Sequence, residues 1–184
     1  MRGIMKLTIS AIIFSLLFGD YSIGDTISIE DQQISAEICF GSHPLDTMLG
    51  TFSLSDFNGD LNGGHYGVTM LSIQASWWGP SCTTVGPTDE IEETWIGNPH
   101  VTVATLLDDI GQPYTCSTWV EHCGTDSFNM IDDGNNYFLF DLFALDNYWH
   151  STIILDQNMV FRYYYDMNDV LNDSINLIDV IEEF

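Results

Sequence analysis

Apolar residues fall along the chain in short runs separated by polar, turn-rich stretches, and the spacing of those runs predicts the elements. Residues 68–73 form the clearest strand. Val68, Met70, Leu71 and Ile73 make a nearly continuous apolar run, the pattern of a strand covered on both faces. Residues 101–107 repeat that pattern and stop at Asp108 and Asp109. Residues 51–54 alternate apolar and polar and read as a strand; residues 24–29 and 35–40 read as shorter ones. Residues 151–156 and 159–165, separated by Gln157 and Asn158, read as a hairpin.

Helical signals fall between these strands. Pro80 suits a first helical turn, where its missing N–H costs nothing. Gly86 and Pro87 then predict an interruption, and residues 88–96 a restart capped by Thr88 or Asp89 with acids behind it. Residues 116–123 read as a short helix, and residues 137–145 fit either a helix or a strand. Residues 168–184 carry the clearest helical period. Leu171, Ile175 and Ile178 fall on one line, with Val170, Leu177, Ile181 and Phe184 beside it. Residues 132–136 read as a turn. Residues 56–64 read as a hairpin turn. They begin like a calcium loop at Asp56, Asn58 and Asp60, but Leu61 and Gly67 stand where that loop needs its glycine and its bidentate glutamate.

At 184 residues and 45% apolar content, the chain can bury one sizeable core. Residues 1–19 resemble an export signal: Arg2 and Lys6 lead into an apolar run over residues 7–18, and Gly19 is a small residue at the cleavage point. An uncleaved anchor is the alternative. Residues 20–49 are then an N-terminal extension and residues 50–184 the domain. Losing residues 1–19 removes Arg2 and Lys6 and no acid. Arg162 remains as the one strong cation against 27 acids, so the net charge is 1 − 27 = −26. Such a chain repels phosphate backbones and anionic lipid surfaces, which excludes a nucleic-acid role. After signal cleavage, no membrane association is expected. The acids are dispersed, and solubility is their simplest use.

Export implies a periplasmic or secreted protein in a compartment where disulfides persist. Cys39, Cys82, Cys116 and Cys123 allow three full pairings. In one unbroken helix Cys116 and Cys123 lie about 10 Å apart along the axis, too far to bridge.

The stretch with chemical character is Ala75-Ser76-Trp77-Trp78-Gly79-Pro80-Ser81-Cys82, where the best strand meets a helix. It resembles the active-site turn of the thioredoxin-like (redoxin) superfamily, in which Trp-Cys-Gly-Pro-Cys follows the first central strand. The order strand, helix, strand, helix, hairpin, helix is also similar to that family's, over residues 50–184. His150-Ser151-Thr152-Ile153-Ile154-Leu155-Asp156 resembles the family's Pro-Thr-x-x-x-x-Asp stretch, whose cis proline packs on the active cysteine. The resemblance implies a thioredoxin-like α/β fold with a mixed central sheet flanked by helices. It also implies the thiol–disulfide oxidoreductase class.

Three signature positions differ. Trp78 stands at the nucleophile, Ser81 at the resolving cysteine and His150 at the proline. Exchange needs a thiolate, which a helix N-terminus helps to form, and a second thiol to release the mixed disulfide. Tryptophan and serine supply neither. Cys82 is the one thiol near the turn, about 6 Å deeper along the helix than Trp78. It is either a displaced nucleophile with weak one-thiol activity or a partner in a structural disulfide. His150 is a proton carrier or ligand, or it fills the space of the proline. Trp77 and Trp78 suit contact with a peptide or another protein. His122, Cys123 and Cys116 match no four-ligand zinc spacing. No metal or other cofactor is expected. Two readings follow: a redoxin-type protein with a degenerate motif, and a non-catalytic envelope binding module.

Overall fold

A computed structural model describes residues 21–43, 45, 50–126, 129–132, 138–143, 150–166 and 174–184. The expected export signal over residues 1–19, the expected turn over residues 132–136 apart from Asp132, and Val170 and Leu171 of the expected helical period lie outside these residues.

In chain order the elements are α1 (Ile29–Gln32), β1 (Ala36–Phe40), β2 (Thr51–Phe52), a 3-10 turn (Leu54–Phe57), α2 (Gly59–Asn62), β3 (Val68–Ala75) and α3 (Ser81–Trp95). They continue with β4 (Val101–Asp108), α4 (Cys116–Cys123), β5 (Asn129–Asp132), α5 (Phe138–Phe143), β6 (Ser151–Leu155), β7 (Phe161–Asp166) and α6 (Ser174–Glu182). The strands form one mixed sheet in the order β2-β1-β5-β4-β3-β6-β7. β3, β4 and β5 run parallel, from Val68 opposite Val101 to Ala75 opposite Asp108. β6 pairs antiparallel with β3 and β7, and β1 antiparallel with β5 and β2.

Both faces of the central strands are covered, which explains their continuous apolar runs. Leu71, Ile73, Ala104, Leu106, Ile153 and Leu155 join Phe52, Phe57, Phe143 and Phe161 on one face. Val68, Met70, Val103 and Ile154 meet Ile91 of α3 and Val180 and Ile181 of α6 on the other. A small third cluster joins Val85 of α3 to Leu107, Trp119 and Val120.

The strands over residues 68–75, 101–108 and 151–155, the helix at 116–123 and the closing hairpin follow the expected pattern. In that hairpin Asp156 is buried, and its Oδ1 accepts the N–H groups of Asn158 (2.8 Å) and Val160 (3.0 Å). Its Oδ2 pairs with Arg162 at 2.7 Å. The one strong cation beyond residue 6 therefore neutralises a buried turn carboxylate. Residues 138–143 of the ambiguous stretch are helical.

Two expectations within the first 64 residues are corrected. Residues 24–29 form no strand beyond a single bridge from Thr26 to Val160, and Ile29 begins α1. Residues 56–64 are not a hairpin turn. Asp56 Oδ2 accepts the Ser53 N–H at 2.7 Å and Asn58 Oδ1 the Asp60 N–H at 3.0 Å. Those side chains cap two short helical turns, and β2 and β3 do not pair. Capping residues and turn residues are the same types, so the sequence pattern cannot separate them. β5 carries no apolar run long enough to read. β1 lies within the shared sheet, between β2 and β5.

Helix α3 runs through Pro87 without a break. Thr84, Val85, Thr88 and Ile91 are buried on its sheet-facing side. Their packing outweighs a local penalty of about 3 kcal/mol for proline in a helix interior. Pro87→Ala restores the missing donor, and relaxing the unfolded chain returns only about 0.4–1 kcal/mol of the gain. The variant is expected to unfold at higher denaturant, by about 1–2 kcal/mol. An unchanged midpoint would indicate a helix that breaks at Gly86.

Candidate functional site

β3 delivers the chain to the C-terminal edge of the sheet at Ala75, which is fully buried. The turn that follows is tied down by backbone bonds. Ser76 N–H donates to the Asp108 carbonyl at 3.0 Å, Trp78 N–H to Ala75 at 3.2 Å and Ser81 N–H to Trp78 at 3.0 Å. The Ser76 hydroxyl donates to the Asp109 carbonyl. Ser81 is fully buried, and its hydroxyl donates to the Ala75 carbonyl at 3.2 Å. Ser81, expected at the position of a resolving thiol, is a structural donor. Beneath the turn, the Gln74 side-chain amide donates to Thr84 Oγ1 (3.0 Å) and Ser72 Oγ (2.8 Å), a buried polar contact between β3 and α3.

Trp77 is 42% exposed, and its indole N–H donates to Asp109 Oδ2 at 2.7 Å. Asp109 adopts the left-handed region, φ 55°, which asparagine and aspartate tolerate better than other side chains. Its Oδ1 accepts the Gln112 side-chain amide at 3.3 Å, from a loop whose Gln112–Pro113 peptide is cis. Gly79 and Pro80 are exposed and Trp78 is half-buried. The turn thus presents two indoles, one of them oriented by the loop after β4. Asp109 was readable in sequence only as the end of a strand. Its contact with Trp77 spans 32 residues, which no local pattern encodes.

His150 precedes β6 and lies beside Trp78, with ring centroids 6.3 Å apart at 41°. It is 1% exposed, and neither ring nitrogen has a hydrogen-bond partner. Burial disfavours the imidazolium and pushes the pKa down to about 4; its own backbone and Asp166 oppose the shift. His150 is therefore a neutral ring packed against the turn at neutral pH.

The four cysteines pair as Cys39–Cys116, with Cα atoms 6.0 Å apart, and Cys82–Cys123, with Cα atoms 4.8 Å apart. Helix α4 is unbroken, and Cys116 and Cys123 each bond to a different element, as their spacing requires. Cys82 is not a free thiol here. It gains nucleophilic character only when the bridge to Cys123 opens. His122 stacks on Tyr114, with centroids 4.7 Å apart, and the two cysteines of the zinc-like trio are both in disulfides.

The His150 environment sets a sign for acid stability. Its folded pKa lies below the unfolded value of about 6.5, so the unfolded chain binds more protons between these values. This site's contribution is fully present above about pH 6.5 and falls as pH drops toward 4, by roughly 3 kcal/mol at full titration. Denaturation profiles of wild type and His150→Phe should differ most in slope across that window. Parallel slopes would show that His150 is solvated.

No family model and no curated protein matches the chain. Solved structures do. A putative protein disulfide isomerase from Bacteroides thetaiotaomicron superposes with TM-score 0.65 at 18% identity, covering 91% of this chain and 92% of that one. A putative thiol:disulfide interchange protein DsbE from Chlorobium tepidum gives 0.59 at 13%, with 86% and 96% covered. A DsbF homologue from Corynebacterium diphtheriae gives 0.59 at 17%, with 91% and 99% covered. Among the described residues no helix is long and apolar enough to cross a membrane. Over most of its length, as a mixed sheet flanked by helices, this chain has the thioredoxin-like α/β fold that these thiol–disulfide oxidoreductase structures share.

Proposed function

We propose that this is an exported thioredoxin-fold protein, related to thiol–disulfide oxidoreductases, whose motif turn is degenerate and serves to contact a protein or peptide. The observation that carries the reading is the occupancy of the turn. Trp78 holds the nucleophile's place against His150, and the nearby Cys82 is bonded to Cys123. Trp77 is exposed and oriented by Asp109, so its contact face is preorganised. An aromatic pair on a rigid turn supplies contact area at low entropic cost. Export is supported by the leader-like residues 1–19 and by two disulfides, which persist in a periplasmic or extracellular setting.

A second reading keeps the redox class: one-thiol exchange through Cys82. Its support is the place of the Cys82–Cys123 bridge, in the first turn of α3 directly behind the motif.

Insulin reduction by a small dithiol separates the two. The wild-type protein should leave the dithiol's own rate unchanged, and native alkylation should label no cysteine. Catalysis by the wild type would transfer the assignment to the redox reading. Trp78→Cys asks whether the scaffold still supports exchange. Peptides selected from a random library on the wild type should lose tenfold or more in affinity for the Trp77→Ala, Trp78→Ala double variant. Unchanged affinity would sink the contact surface.

A further inference from the structure

The Cys82–Cys123 bridge joins opposite ends of two helices. Cys82 lies in the first turn of α3, a 15-residue helix, and Cys123 is the last residue of α4. A helix carries partial positive charge at its N-terminus and partial negative charge at its C-terminus. One sulfur therefore sits where a thiolate is stabilised and its partner where a thiolate is disfavoured. No carboxylate lies in the first turn of α3 to cancel the effect at Cys82. On α4 the charged and titratable neighbours of Cys123 in sequence are Glu121 and His122. Asp89 of α3 is tied to Thr125 at 2.8 Å.

Access differs as well. Both sulfurs belong to half-buried residues, but Cys123 is flanked on both sides by exposed residues, His122 and Gly124, whereas Cys82 lies between fully buried Ser81 and exposed Thr83. The second bridge is unlike this one: Cys39 lies in a strand, and Cys116 is 6% exposed.

We infer that Cys82–Cys123 is a polarised, openable disulfide whose electrophilic sulfur is Cys123 and whose leaving thiolate is Cys82. This rests on the redox reading of the Cys82 region and names its first step. An external thiolate bonds to Cys123 Sγ. The bond between the two protein sulfurs breaks, and Cys82 Sγ departs with the electron pair, the better leaving group because its thiolate is the more stable. When the donor is a dithiol, its second thiolate attacks the donor sulfur of the mixed disulfide. Cys123 is released and takes up the proton that thiol has lost. The dithiol is oxidised by two electrons and the bridge is reduced to two thiols. The polarity is opposite to that of a motif in which the helix N-terminal sulfur takes the attack.

The test uses the native wild-type protein with limiting glutathione, acid quenching, maleimide blocking and peptide mapping. Glutathione is expected on Cys123 and maleimide on Cys82, at least tenfold over the reverse. A second arm measures alkylation rate against pH for the single thiol left in Cys123→Ser and in Cys82→Ser. The Cys82 thiol should titrate at least one pH unit below the Cys123 thiol. Glutathione on Cys82, or coincident titrations, would overturn the polarity while leaving exchange at this bridge in place. A bridge that stays closed until the fold is denatured would overturn the redox reading together with the inference.

Discussion

Burial of β3 along all eight of its residues is the constraint on which the rest depends. A strand covered on both faces needs a layer on each side. α3 and α6 supply one, and the aromatic cluster of Phe52, Phe57, Phe143 and Phe161 supplies the other. The strand's polar residues Ser72 and Gln74 then need internal partners, which fixes Thr84 of α3 above them. Its end at buried Ala75 determines where the chain can emerge. The turn after β3 is held at that exit by bonds to the end of β4, so its geometry needs no thiol to hold it.

The elements that could be read in sequence are those whose burial leaves a local trace. The paired central strands announce themselves as apolar runs, and the last hairpin by its two-residue turn. α3 escaped as one helix because Pro87 is a strong local signal, while the contacts that override it lie on β4 and α4. β5 escaped because four residues between parallel and antiparallel neighbours are specified by those neighbours and not by their own pattern. Near residue 56, caps and turns use the same side chains, so two short helical turns passed for a loop.

At the site the division is similar. The identities of Trp77, Trp78, Ser81 and His150 were visible, and so was the absence of a thiol at the motif's first position. What those residues touch was not. The Trp77–Asp109 bond and the choice among three disulfide pairings both join positions tens of residues apart. The burial that holds His150 neutral is a property of packing, and no neighbour in sequence reports it.

Helix α4 carries a bridge at each end, one to β1 and one to α3. The two bridges close overlapping loops with separations of 77 and 41 residues. Every peptide bond between Cys39 and Cys123 is spanned by at least one of them. A protease that cuts once anywhere in that stretch therefore releases nothing. The two pieces stay attached through α4, and a nicked molecule keeps its strands at one another's local concentration. α4 thus acts as a covalent clasp that makes a single backbone cut survivable.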